Sequence, residues 1–244
     1  MNEPMLKRLS DLDEEALFAA YAPPRNPWLR VNFVSSADGA ATVDGLSGGL
    51  SGHEDKRVFK MLRARCDVLL TGMGTVEAEA YGALLLSPER RQWRLDQGLP
   101  EFPVMAVASN SARLDPHSSL IRDAPRKPVL VCAADAPAER IAALRNVVDV
   151  IAVGEGSIDY PAAVEGLHEL GHLQVLSEGG PHVFGELLRA GLVDELDVTY
   201  SPLLVGSGPT RIAGGPEGLE KTQEMTLAHA LEAGGNLIAR YVRA

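Results

Sequence analysis

Two kinds of hydrophobic pattern alternate along the middle of this chain. Short, almost continuously apolar runs occur at 103–108, 128–132 and 147–151, and such runs are typical of strands that are covered on both faces. Between and after them, 139–145 and 161–170 carry apolar residues at helical spacing. Strands that alternate with helices in this way predict crossover units and a mostly parallel sheet.

The N-terminal segment has a helical pattern of its own. Residues 11–20 predict a short amphipathic helix, which Pro23 and Pro24 end because proline cannot continue a helix. Further along, no segment is rich enough in Gly, Ser or Pro to separate two domains. We therefore expect an N-terminal helical leader over 1–27 and one domain over 28–244.

The last third of the chain departs from the pattern of the middle. Segments 195–200 and 236–242 alternate apolar and polar residues, which is typical of edge or antiparallel strands. Pro202 follows the first of these segments, and proline within a sheet favours an edge position. The sheet is therefore expected to be mixed, with the 195–205 strand at an edge.

Two glycine-rich turns each follow a short apolar strand. The turn at 72–75 (Gly-Met-Gly-Thr) follows 67–71, and the turn at 178–181 (Glu-Gly-Gly-Pro) follows 173–177. Glycine lets the backbone approach a ligand closely, and a helix N-terminus presents unpaired N–H groups with a partial positive charge. The two turns together predict one cradle for the phosphates of a nucleotide.

Two carboxylates near these strand ends each have two possible roles. Asp38-Gly39 ends the alternating strand at 28–34 and signals a turn; the carboxylate of Asp38 either faces a ligand or accepts backbone hydrogen bonds within the turn. Glu178 either belongs to the nucleotide cradle or caps the helix that follows it.

Composition and charge narrow the classes of partner. A chain of 244 residues with 45% hydrophobic content can bury a substantial core. Its formal net charge of −10 argues against nucleic acid or an anionic membrane as a partner, although local N–H groups and arginines can still hold a small anion. No stretch approaches the roughly 20 apolar residues of a membrane span. The two cysteines, Cys66 and Cys132, predict buried, reduced thiols in a cytoplasmic protein.

With these features in place, the chain resembles the reductase domain of riboflavin biosynthesis, a member of the dihydrofolate-reductase-like superfamily, from about residue 31 to 242. Any one of the matching motifs is weak, but the ordered set is specific. The motifs are Ser36-Ala37-Asp38-Gly39, Ser51 with Glu54-Asp55, Arg63-Ala64-Arg65-Cys66-Asp67, Gly72-x-Gly74-Thr75, Ser177-Glu178-Gly179-Gly180, Gly191-Leu192-Val193-Asp194-Glu195 and Pro202-Leu203-Leu204-Val205-Gly206. The resemblance implies an α/β fold, a dihydrofolate-reductase-like three-layer α/β/α domain with a mostly parallel mixed sheet.

The resemblance also implies an activity: NADPH-dependent reduction of a ribosylamino-pyrimidine phosphate, with hydride transfer to the sugar carbon bound to nitrogen. Ser36 and Asp38 would face this small-molecule substrate, and the charge of Asp38 would stabilise an iminium-like centre as the hydride arrives. A homodimer that pairs through a sheet edge is implied as well. The cofactor would contact Gly72, Gly74, Thr75, Glu178, Gly179 and Gly180. Arg113, just after the strand at 103–108, is the candidate for the 2′-phosphate that distinguishes NADPH from NADH.

One segment departs from the family pattern. Where the family usually has an Asp-Asp-Pro sequence that helps to hold substrate, this chain has Glu77-Ala78-Glu79-Ala80-Tyr81-Gly82. Glu79 would replace the first acid, and Tyr81 could stack on a heterocycle. A pterin or dihydrofolate-type reductase and a non-catalytic NADPH-binding sensor therefore stay open as alternatives. The sequence lacks the His-x-Glu and paired-cysteine zinc motif, so no metal site is predicted.

Overall fold

Ten strands pair into one sheet in the computed structural model, which describes residues 6–206, 208, 211–215 and 218–244. The strands are β1 (Leu6–Arg8), β2 (Trp28–Ser36), β3 (Val68–Gly72), β4 (Val104–Ala108), β5 (Val129–Cys132), β6 (Asp149–Ala152), β7 (Gln174–Ser177), β8 (Glu195–Ser201), β9 (Met225–Ala233) and β10 (Asn236–Arg243). Their order across the sheet is β1-β9-β10-β8-β2-β7-β3-β4-β5-β6.

The helices of the described residues cover both faces of this sheet. They are α1 (Glu14–Ala20), α2 (His53–Arg65), α3 (Met73–Ala78), α4 (Pro88–Asp96), α5 (Ser119–Arg122), α6 (Ala138–Leu144), α7 (Tyr160–Glu169) and α8 (Pro181–Arg189), with 3₁₀ turns at Leu9–Asp11 and Ser47–Gly49. None of these helices combines the length and the apolar character that crossing a membrane requires.

Strand direction confirms the expected mixture. The pairs from β8 through β2, β7, β3, β4 and β5 to β6 are all parallel. Only β10 runs antiparallel to its two neighbours, β8 and β9, while β1 adds to β9 in parallel. The prediction of a mostly parallel, mixed sheet is therefore confirmed.

The sheet separates two hydrophobic layers, which explains the continuous apolar runs of the sequence. Along β3, Leu69 packs in the layer with Met61 of α2, whereas Val68 and Leu70 pack in the opposite layer with Phe184 of α8. Successive side chains of a strand point to opposite faces, so a strand covered on both sides must be apolar throughout. The three-layer arrangement expected from the sequence follows.

The predicted leader helix forms as α1 and packs on the same core as the rest of the chain. Leu17 and Tyr21 are fully buried there. Three arginines from α2, β2 and β10 donate to the carbonyl groups at its C-terminal end, which the helix itself leaves without partners. The contacts are Arg65 Nη1 to Phe18 O at 2.9 Å, Arg240 Nη1 to Ala20 O at 2.6 Å and Arg30 Nη2 to Tyr21 O at 2.7 Å. The division between 1–27 and 28–244 stays a prediction.

The expected edge position of the 195–205 strand is wrong. In the structure β8 lies between β2 and β10, and Pro202 follows its last residue rather than interrupting its pairing. The alternation has a different cause, because the polar residues of β8 face the protein interior: Glu195 and Asp197 are 0% and 1% exposed. Within the described residues, the edge strands of the sheet are β1 and β6.

Glu195 is the centre of a buried ion cluster. Its Oε1 lies 2.6 Å from Nε of Arg30, and its Oε2 lies 2.8 Å from Nη2 of Arg240 and 2.7 Å from Nε1 of Trp28. Burial disfavours the charged carboxylate, but the two arginines outweigh burial and lower the pKa of Glu195 to about 2. Burial and the charge of Glu195 raise the pKa of the neighbouring Asp197, whose Oδ2 lies 3.2 Å from Nε of Arg30.

Glu195→Gln removes that charge without changing the shape of the side chain. The substitution leaves Arg30 and Arg240 buried without their strongest partner, and we expect it to lower the free energy of unfolding by about 3–5 kcal/mol. Urea denaturation measures the change. Asp123→Asn is the matched control, because it breaks an exposed ion pair with Arg122 and should cost no more than about 1 kcal/mol. Equal losses in both variants would contradict the assignment of Glu195.

Candidate active site

The two glycine-rich turns lie side by side at the carboxyl ends of β3 and β7. These strands are direct neighbours in the sheet, and the N–H of Gly72 donates to the carbonyl of Gly179 at 2.7 Å. Gly72 is the N-cap of α3 and Gly180 is the N-cap of α8. The two distant turns are therefore adjacent, as expected, and their role in binding the phosphates of a nucleotide stays a prediction.

The glycines of the cradle differ in what requires them. Gly179 has φ of +83°, and a Cβ there would lie 2.4 Å from Cζ of Phe33. A Cβ on Gly180 would lie 2.6 Å from Oγ1 of Thr75, whereas a Cβ on Gly74 would meet nothing within 4 Å. Gly179 and Gly180 are thus required by close packing, while Gly74 borders open space.

A cavity of about 900 Å³ opens directly in front of the cradle, a volume within the usual range for small-molecule sites. Its wall is formed by β2, the loop at 41–51, α2, the end of β3, α3 with the segment after it, the turn that follows β7, and α8. They include Asn32, Phe33, Asp44, Ser47, Ser51, Asp55, Lys56, Phe59, Arg63, Gly72, Gly74, Thr75, Glu79, Tyr81, Glu178, Gly180 and His182. Most of the sequence-predicted residues therefore meet in one place.

Glu178 is tied to the cavity wall by two neighbours rather than capping α8. Its carboxylate pairs with Arg63 through both oxygens, with Arg63 Nε to Oε1 at 2.6 Å and Nη2 to Oε2 at 2.5 Å. The hydroxyl of Tyr81 also donates to Oε2, at 2.8 Å. The side chain of Glu178 is only 2% exposed, so this pairing supplies the counter-charge that a buried carboxylate needs.

The same contacts fix the protonation of Tyr81 and the position of Arg63. Burial raises the pKa of Tyr81, and the adjacent charge of Glu178 raises it further, so the phenol remains a hydrogen-bond donor at neutral pH. The guanidinium of Arg63 lies 4.1 Å from the ring centre of Phe59, a cation–π contact. An aromatic and charged wall next to the cradle results.

Backbone geometry places Glu79 and Tyr81 on opposite sides of Ala80. Ala80 has φ of +50°, a left-handed conformation that costs a non-glycine residue about 1–2 kcal/mol. This turn lets Oε1 of Glu79 accept from the backbone N–H of Ser47 at 2.8 Å while Tyr81 reaches Glu178. Strained residues are often kept where a site depends on them, and Ala80 orients both of its neighbours toward the cavity.

A smaller cavity of about 460 Å³ adjoins the first one beyond the Gly72–Gly74 turn. Arg113 lines it together with polar residues that follow β4, and His182 borders both cavities. The guanidinium of Arg113 lies 3.0 Å from the carboxylate of Glu77, and both side chains are about half exposed. A cation is thus present at the far side of the cradle, and its contact with a 2′-phosphate stays a prediction.

Ser36 and Asp38 are not among the residues that line the main cavity. The carboxylate of Asp38 accepts from the Ser36 hydroxyl and from the backbone N–H groups of Val205 and Gly206, the latter at 2.7 Å. The Ser36 hydroxyl, followed by the N–H groups of Gly206 and Val205, lowers the pKa of Asp38 to about 2. Direct contact of Asp38 with substrate stays a prediction, and its contacts here hold a loop.

Four further site residues, Asp55, Lys56, Phe59 and Arg63, were not predicted from the sequence. All four lie on α2 and line the cavity, and 55, 59 and 63 follow each other at four-residue intervals, which puts them on one helix face. The four-residue spacing can be seen in the sequence. It does not show that this face lines a cavity, because a mixed polar and aromatic stripe is equally typical of a solvated helix face.

Comparison with known proteins gives a consistent set of relatives. A family model described as the RibD C-terminal domain matches residues 27–239. The chain is 31% identical over 219 residues to a 2,5-diamino-6-ribosylamino-4(3H)-pyrimidinone 5′-phosphate reductase of Methanothermobacter thermautotrophicus, covering 88% of this chain and 97% of that protein. A protein of the same name from Archaeoglobus fulgidus is 30% identical over 74% of this chain and 82% of its own length.

Among solved structures, the chain is similar to a pyrimidine reductase-like protein of Corynebacterium diphtheriae. The TM-score is 0.85 at 24% sequence identity, and the match covers 96% of this chain and 99% of that one. Similarity at that level of identity concerns the fold. It confirms the dihydrofolate-reductase-like fold that the sequence resemblance implied.

Two alanine substitutions in the cradle compare a tightly packed glycine with one that borders open space. Gly179→Ala forces a side chain into a left-handed residue and against Phe33, so we expect it to lower the free energy of unfolding by at least about 1–2 kcal/mol. Gly74→Ala adds a methyl group in open space within α3, where alanine is favoured over glycine by about 0.5–1 kcal/mol. Thermal unfolding of both variants measures the contrast, and a less stable Gly74→Ala protein would contradict the open geometry.

Proposed function

The chain belongs to the RibD C-terminal domain family, and from that membership we propose that it is a reductase of riboflavin biosynthesis that acts on a ribosylamino-pyrimidine phosphate. The observation that carries the proposal is the joined pair of glycine turns, which opens onto a cavity with an aromatic and charged wall. The curated relatives named for this reaction match most of the chain.

We propose NADPH as the hydride donor, held across the cradle. Gly72, Gly74 and Thr75 on one side and Gly179 and Gly180 on the other bring backbone close to the cofactor, and the open space at Gly74 supports this placement. When bound, the nicotinamide supplies the hydride. Glu178, paired with Arg63, would line the same end of the site as a neutral pair that excludes water.

Arg113 is the proposed partner of the cofactor's 2′-phosphate. It lies beyond the Gly72–Gly74 turn in the smaller cavity, and an arginine fork suits a phosphate group. Its present partner is the half-exposed carboxylate of Glu77, and such surface pairs are worth little. A phosphate could therefore replace Glu77 at small cost.

On the acceptor side, Phe59 and Tyr81 provide aromatic surface for a pyrimidine ring, and Glu79 stands where the family has its first acid. Ser36 and Asp38 are proposed to act on the substrate through the loop that they hold. Asp38 fixes Val205 and Gly206, and this loop leads to Gly208 in the cavity wall.

Two further properties are proposed from the resemblance. The enzyme is expected to be cytoplasmic, which suits the two free, buried cysteines, because reduced thiols are usual in that compartment. A homodimer is also proposed. The interior position of β8 removes the edge-strand argument for it, so its support is the resemblance alone.

The experiment that tests the function is NADPH consumption by the purified protein with three acceptors in parallel. We expect turnover of the 2,5-diamino-6-ribosylamino-pyrimidinone 5′-phosphate for which the archaeal relatives are named, with NADH as the control donor. Turnover of its deaminated uracil counterpart alone would show that the enzyme acts after deamination rather than before it. Turnover of dihydrofolate alone would favour the pterin reductase, and NADPH binding without any turnover would favour the sensor.

Arg113→Ala tests the choice between the two nicotinamide cofactors. Loss of a charge-assisted contact to the 2′-phosphate should raise the KM for NADPH by about 10- to 100-fold. NADH has no 2′-phosphate and makes no such contact. The KM for NADH should be unchanged. Arg122→Ala, an exposed arginine outside both cavities, is the matched control. A parallel rise in KM for both cofactors would remove Arg113 from the 2′-phosphate site.

A further inference from the structure

One face of α2 forms a long wall of the main cavity. Lys56, Phe59 and Arg63 all line it and are three or four residues apart, which places them on neighbouring turns of the same face. At 1.5 Å of rise per residue, Lys56 lies about 10 Å along the helix from Arg63. Arg63 adjoins the cradle through Glu178, so Lys56 marks the end of the wall away from the glycine turns.

The cations of this cavity are not equally available to a ligand. Arg63 is committed to both oxygens of Glu178. His182 stands where the main cavity meets the smaller one that contains Arg113, on the side proposed for the cofactor. Lys56 is exposed, and no ion pair or hydrogen bond is found for its ammonium group among the described residues.

The remaining charged groups of the cavity are acidic. Asp44, Asp55, Glu79 and Glu178 line it, and only Glu178 has its charge matched by an adjacent arginine. A phosphate group in such a cavity is repelled from most of the wall and is stabilised only beside a free cation. Among the described lining residues, Lys56 is the cation that meets this condition outside the cofactor side.

We propose that Lys56 anchors the phosphate group of the acceptor and thereby sets its orientation in the cavity. This inference rests on the proposed function. With the phosphate at Lys56, the carbon that receives the hydride points back along α2 toward the glycine turns, separated from the phosphate by the length of the ribose. Lysine suits this task because its ammonium is a compact charge with three rotatable donors on a flexible stem.

Two consequences distinguish an anchor from a general effect of charge. Lys56 should matter for a phosphorylated acceptor and not for the same acceptor without its phosphate. It should also act on binding rather than on the chemical step, because a contact made equally in the ground state and the transition state changes KM and leaves kcat unchanged.

The test is a cycle of two proteins and two acceptors. We compare the wild type with Lys56→Gln, using the ribosylamino-pyrimidinone phosphate and its dephosphorylated form. We expect Lys56→Gln to raise the KM for the phosphorylated acceptor by about 10- to 100-fold, to leave kcat within about twofold, and to leave the dephosphorylated acceptor unaffected. Lys56→Arg should restore most of the loss.

Lys60→Gln is the matched control. It removes the same charge one turn further along α2, from an exposed residue that does not line the cavity. It should leave kcat and KM unchanged for both acceptors. If Lys60→Gln raised the KM as much as Lys56→Gln, the effect would come from long-range electrostatics and not from a contact between Lys56 and the phosphate. Equal losses with both acceptors, or no loss with either, would overturn the anchor while the proposed function stands.

A binding measurement separates failure of the anchor from failure of the function. Ribose 5-phosphate and ribose are titrated calorimetrically into wild type, Lys56→Gln and Lys60→Gln. If the wild type reduces neither pyrimidine, the proposed function fails, and Lys56-dependent binding of ribose 5-phosphate over ribose would still support the phosphate site. Absence of that Lys56-dependent difference would overturn it.

Discussion

Parallel pairing of β3 with β7 is the constraint on which the site depends. The two strands are brought together from opposite halves of the chain, and their register sets the Gly72 N–H against the Gly179 carbonyl. Because parallel strands end at the same edge of a sheet, α3 and α8 then begin next to each other. The cavity, the neighbouring smaller cavity and the position of Glu178 all follow from this one pairing.

Much of this arrangement could be predicted from the sequence because its signals are local. Apolar runs identify strands covered on both faces, and a Gly-x-Gly or Gly-Gly pair after such a strand identifies the turn that follows. The contacts of Glu178 with Arg63 and Tyr81 could not be predicted from the sequence, because they join three segments whose side chains meet only in the folded protein. Asp38 shows the same limit: its turn was readable, but its partners at Val205 and Gly206 lie far away in sequence.

The strand β8 shows why an alternating pattern is ambiguous. Polar residues at every second position normally indicate a solvated face, yet Glu195 and Asp197 are buried against Arg30 and Arg240. A solvated polar face and a buried, ion-paired face give the same alternating pattern. The sequence of a strand does not show whether the neighbouring strands carry side chains of opposite charge. Here the matching arginines come from β2 and β10, on either side of β8 in the sheet.

The arginines that cap α1 bear on where a foldable unit of this protein begins and ends. The family match runs from 27 to 239, but α1 lies before it and Arg240 directly after it. A chain cut to the matched region would keep Glu195, Arg30 and Arg65 while losing the carbonyl groups of α1 and the guanidinium of Arg240. Contacts that stabilise the core of this protein therefore extend beyond both ends of the family match.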